Sequence, residues 1–82
     1  MIPNSVFSIG QNAFQRYMDL TSITIPVGVT SIGEEAFFYC TDLSDIKFNG
    51  TMSQWNAITK GADWNRGVPA THVQCSDGQV AL

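Results

Sequence analysis

The sequence predicts an α/β fold, with short strands and short helical turns wound into a small solenoid and closed by a C-terminal cap. Three observations carry that expectation. Residues 2–24 and 25–47 are two copies of one 23-residue pattern, identical at eleven positions. The shared residues are chiefly apolar, with one Gly and one Pro per copy, and these set packing and turns. A repeat period between about 20 and 50 residues marks a chain whose units stack on one another. The repetition then stops, and residues 48–82 carry a different set of signals. The 82 residues are read as one domain, 1–82, with repeat 1 at 2–24, repeat 2 at 25–47 and a C-terminal capping segment at 48–82.

Each element has its own reason. In Leu20-x-x-Ile23-x-Ile25 the apolar residues alternate, so Ile23 and Ile25 share one strand face. Pro26 ends that strand because it cannot donate to a ladder. Val29-x-x-Ile32-Gly33 is a second extended piece that turns at Gly33. Residues 34–39 read as one or two helical turns with Ala36 and Phe37 inward. Asp42 marks the turn back to the next strand, at 43–48. One such unit cannot bury its own apolar edge, so like residues should stack over like, Ile over Ile and Phe over Phe, about 4.8 Å apart at the strands. Ile23 and Ile46 must then be neighbours, and buried.

The closing segment has helix and strand signals. Thr51-x-x-Gln54 fits a capping box ahead of a helix at 53–60, with Trp55 and Ile58 on one face and Gly61 at its stop. His72–Cys75 alternates and reads as a final strand, with Val73 and Cys75 on one side. At the other end, Met1-Ile2-Pro3 aligns with Thr24-Ile25-Pro26, so the chain opens at the close of a strand. It therefore reads as a C-terminal fragment of a longer array. Its first repeat would expose an apolar row and invite self-association.

Composition excludes several classes. Seven acidic residues against four scattered basic ones, net charge −3, oppose nucleic-acid binding, which needs clustered Lys and Arg. No apolar run approaches the length of a membrane span, and no basic-then-apolar leader opens the chain. Cys40 and Cys75 are too few for a disulfide framework, and two buried thiols are the simpler reading.

Leu-x-x-Ile-x-Ile-Pro followed by Val-x-Ser-Ile-Gly-x-x-Ala-Phe-x-x-Cys resembles the 23-residue leucine-rich repeat of the BspA-like (Treponema-type) family. Cys40 stands at that pattern's cysteine, where the first copy has Tyr17. The tail from Phe48 to Gly78 is similar to the closing segment that follows such repeats. The resemblance implies a leucine-rich-repeat fold, and a secreted or cell-surface bacterial protein with adhesive or protein-binding roles.

Candidate chemistry is sparse. His72 and Cys75 are three apart in one strand and so face opposite ways, which opposes a Cys–His dyad. One His and two distant Cys fall short of a tetrahedral metal site, and Asp42 with Asp45 lacks a calcium-loop pattern. The expectation is no catalytic residue, no metal and no cofactor. The candidate binding surface is the concave strand face, where Ser22, Thr24, Asp45, Lys47 and Asn49 alternate with inward isoleucines. The expected function is non-catalytic protein recognition or adhesion, with an unspecified protein or host-surface ligand. Two alternatives stand beside it. One is a carbohydrate-binding module stacking sugars on Trp55 and Trp64; the other is a structural cap or stalk without ligand.

Overall fold

A computed structural model describes residues 5–82. Ile2 and Pro3, read as the end of a strand, lie outside the described residues. The chain makes three passes along one path. The first holds β1 (Ser8–Ile9) and β2 (Ser22–Ile25), and the second β3 (Ser31–Ile32) and β4 (Asp45–Phe48). Helix α1 (Met52–Ala57) then precedes the third pass, β5 (Thr59–Lys60) and β6 (His72–Cys75), and β7 (Gly78–Ala81) closes the chain.

Two sheets result. One has the order β1-β3-β5, all parallel; the other has the order β2-β4-β6-β7, parallel except for the antiparallel last pair. The register between the first two passes is that of the repeat: Ile9 lies beside Ile32, and Ile23 beside Ile46. Both Ile23 and Ile46 are buried, as stacking of like on like requires. Phe14 and Phe37 stack face to face, ring centroids 5.2 Å apart and planes 2° from parallel. Farther on the spacing changes. Ile32 pairs with Lys60, 28 residues on, and Ile46 with Val73, 27 on. The longer interval accommodates α1.

Residues 34–39 do not form the expected helical turns. They form a run of β-turns, as do residues 11–16. Ala36 donates to the Gly33 carbonyl, Phe38 to Glu35 and Cys40 to Phe37, each closing a four-residue turn. The intervening N–H groups leave the pass altogether: Glu35 donates to Ala62, Phe37 to Trp64 and Tyr39 to Arg66. Donors already committed to the next pass cannot bond four residues back, so no helix forms. Glu35 and Tyr39 take φ of +56° at the third turn position, the mark of a type II turn, and Asn12 and Arg16 do the same in the first pass at +59°.

Helix α1 is shorter than expected, six residues, and ends before Ile58. Its start is the anticipated capping box: Thr51 Oγ1 accepts from the Gln54 N–H at 3.1 Å and Gln54 Oε1 accepts from the Thr51 N–H at 2.8 Å. It stops early because Thr59 and Lys60 are drawn into β5, beside Ser31 and Ile32. The Lys60 ammonium turns back to donate to the Trp55 and Ile58 carbonyls, at 2.9 and 3.1 Å. Gly61 therefore ends no helix. It sits where a Cβ would strike the backbone of Glu34, as one on Gly33 would come within 2.5 Å of the Gln11 nitrogen.

The core runs between the two sheets and the turn runs. Ile25, Phe37, Cys40, Leu43 and Val73 are fully enclosed, and no polar or charged residue is buried among the described residues.

Candidate functional site

The outer face of the four-stranded sheet follows from strand alternation. β2, β4 and β6 each bury their second and fourth residues and turn the first and third outward. Ser22 lies beside Asp45, and Thr24 beside Lys47. Asn49 is exposed just past β4, its N–H bonded to the Ile25 carbonyl at 3.0 Å. The five residues singled out in the sequence thus share one face.

The face extends further than those five. Lys47 is beside Gln74, and Gln74 beside Gln79, so one outward row runs Thr24–Lys47–Gln74–Gln79 across four strands. Gln79 Nε2 donates to Gln74 Oε1 at 2.9 Å, which sets the two amides side by side. Asp45, Lys47, Thr71, His72 and Gln74 line a shallow cleft of about 250 Å³. Lys47 also borders a second cleft of the same size with Asn49, Gln74 and Ser76. The His72 ring nitrogen Nδ1 shares a hydrogen bond with Thr71 Oγ1 at 2.9 Å. Among the described residues the one ion pair is Arg66–Asp63, at 4.0 Å and well exposed, so Asp45 and Lys47 present unpaired opposite charges on this face.

His72, weighed in the sequence only for catalysis and metal binding, and Gln74 and Gln79 lie outside the binding face that the sequence predicts. The alternation of residues 72–75 already turned His72 and Gln74 outward. Their place beside β4 was hidden because the third pass departs from the 23-residue spacing.

The tryptophans stand elsewhere. Trp55 is 2% exposed and Trp64 9%. Their rings meet edge to face at 5.7 Å, Trp55 against Phe48 and Trp64 against Phe37. The Lys60 ammonium lies over Trp55, 4.6 Å from the ring centroid. A sugar stacks on an open ring face, and packing has closed both indoles, so they serve the core instead.

Cys40 and Cys75 are free and buried. Burial pushes both thiols up from their ordinary range; for Cys40 the backbone of Tyr17 offsets part of it, and for Cys75 the Asp77 carboxylate adds to it. The Cys40 thiol donates to the Phe14 carbonyl at 2.9 Å, tying the second pass to the first. Tyr17, at the matching position of the first pass, is exposed and rests against Phe14. His72 points outward and Cys75 inward, so the two do not meet. No helix among the described residues is long and apolar enough to cross a membrane.

The geometry defines a repeat module with one outward polar strand face and an apolar interior. The family model described as BspA type leucine rich repeat region (6 copies) matches residues 1–60, and the chain belongs to that family. A comparison with curated proteins finds no match, and a comparison with solved structures finds none.

Proposed function

We propose that this chain is a short solenoid module for protein recognition, used at the surface of a bacterial cell or in a secreted protein. Contact is made by the outer strand face rather than by an enclosed pocket. The observation that supports this is the polar row Thr24–Lys47–Gln74–Gln79, with Asp45 and Lys47 unpaired beside it. Such a face offers hydrogen bonds and both signs of charge without a large apolar patch.

Its size sets the affinity. Four strands at about 4.8 Å spacing, each roughly 13 Å long, present about 250 Å², a third of the ~800 Å² per partner in a stable interface. One module binds weakly, and useful strength comes from repetition along a longer array. The test is a panel of immobilised extracellular-matrix and cell-surface proteins probed with the multimerised chain. Any binding should fall at least tenfold with Lys47→Glu or Asp45→Arg. Binding that ignores both substitutions would leave the face without a role. The same small area favours a second reading, a structural cap that binds no ligand. That reading predicts no binding anywhere on the panel.

A further inference from the structure

Outward side chains of neighbouring strands leave a furrow between their rows. The two shallow clefts on the outer face are both walled by β4 and its continuation on one side and by β6 on the other. They meet at Lys47 and Gln74, which line both and lie side by side in register. Together they make one groove along the parallel strands, from Ser44 and Thr71 at one end to Asn49 and Ser76 at the other. At about 3.3 Å per residue that is roughly 16 Å, the span of about five residues of extended chain.

The groove carries one charge of each sign on the same strand. Asp45 and Lys47 are exposed on the outward side of β4, two residues and so about 6.6 Å apart. Neither takes part in an ion pair among the described residues. The opposite wall is fixed. Gln74 Nε2 donates to the carbonyls of Cys75 and Gly78 at 3.1 and 3.4 Å, and its Oε1 accepts from Gln79 at 2.9 Å. That amide has its partners already and holds its place without a ligand. A wall ordered beforehand spares a ligand the entropy of ordering it.

We infer that this groove takes an extended peptide segment with a basic and an acidic side chain two residues apart, the basic one over Asp45 and the acidic one over Lys47. The inference rests on the outer face being a recognition surface and names the partner's chemistry. Extended chain sets alternate side chains on one side at the same spacing as β4, so both charges are met at once. Other polymers fit less well. A nucleic acid would suit Lys47 but would bring its phosphates against Asp45 and a net charge of −3. A neutral sugar would leave both charges without a counter-charge, and neither cleft offers an exposed Tyr, Trp or Phe ring for it to stack on, since Phe48 is buried.

The test is an NMR titration of the isotope-labelled full chain, at low salt, with blocked hexapeptides centred on Lys-Val-Glu and on the reverse order, Glu-Val-Lys. The amide resonances of Lys47 and Gln74 report on the groove. One order should bind with a Kd on the order of 1 mM, and the other at least about fivefold more weakly, because reversal turns two attractions into two repulsions. Peptides centred on Lys-Val-Lys and Glu-Val-Glu should fall between them. Asp45→Lys combined with Lys47→Asp keeps the net charge and should exchange the preferred order. Lys47→Ala, a milder change, should narrow the preference to about twofold, as should salt at about 150 mM. Both positions are exposed, so each variant should keep the native circular dichroism. The proposal is overturned by equal binding of the four peptides, or by unmoved Lys47 and Gln74 resonances up to about 5 mM peptide. It is equally overturned by a preference that the exchange of charges leaves unchanged. Immobilised proteins that bind through Lys47 while every peptide fails would sink this inference and leave the broader recognition reading standing. Silence from both would sink the two together.

Discussion

Phe37→Ala tests whether stacking between passes holds the molecule together. Phe37 is fully buried, with Phe14 stacked on one side at 5.2 Å and Trp64 edge-on at the other at 6.2 Å. Truncating a buried Phe costs about 3–5 kcal/mol from lost transfer and the cavity left behind. Each aromatic pair adds about 0.5–1.5 kcal/mol beyond its buried area. A domain of this length has roughly 4–12 kcal/mol in all. The substitution should therefore remove between a third and all of the stability, about 4 kcal/mol as a central value. Phe14→Ala is the control. It has the same sequence position one repeat earlier but is only half-buried, and of its two aromatic partners, Phe37 and Tyr17, the second is itself exposed. Its cost should be about 1.5–2 kcal/mol. Urea denaturation followed by tryptophan fluorescence measures both, since Trp55 and Trp64 are buried in the core. Equal costs for the two substitutions, or less than about 1.5 kcal/mol for Phe37→Ala, would refute the view that passes stabilise each other through this column.

Other outcomes follow from single contacts. Gly33→Ala forces a methyl into the backbone of the first pass and should cost at least ~2 kcal/mol, whereas Gly10→Ala, with nothing within 4 Å, should stay within about 0.5 kcal/mol; chemical denaturation separates them. Thr51→Ala loses the capping box of α1 and should destabilise by about 1 kcal/mol in the same assay. The native chain should alkylate slowly with iodoacetamide at pH 8, and both cysteines should react promptly in denaturant, because burial raises both thiols and lowers the thiolate fraction. The native state keeps those protons to higher pH than the unfolded chain does. Their contribution to stability is thus intact below about pH 8.5 and declines as pH rises above it. Lys60 acts in the opposite sense, since burial lowers its ammonium and favours its neutral form in the fold. A Lys60→Met background isolates the thiols.

Local pattern and tertiary context can be separated residue by residue. The identities between the copies are enough to place Ile23 over Ile46 and Phe14 over Phe37, because a chain that repeats its apolar residues can bury them only by stacking in that register. Alternation turned Ser22, Thr24, Asp45 and Lys47 to one face, and Thr51-x-x-Gln54 placed the start of α1, since both depend on spacing within a few residues. Three features needed the folded chain. Residues 34–39 have a helix-like pattern, yet their alternate N–H groups go to Ala62, Trp64 and Arg66, acceptors about 27 residues away that no local pattern reveals. The third pass escaped notice because α1 stretches the interval to 27 or 28 residues and sets Lys60 beside Ile32. His72, Gln74 and Gln79 therefore joined the outer face only in three dimensions, while Trp55 and Trp64 left the list of candidate ligand platforms by closing on each other. Short-range periodicity settles which way a side chain points. Which backbone groups meet across passes is a long-range choice, settled when stacking offers a partner that a helix would otherwise have supplied.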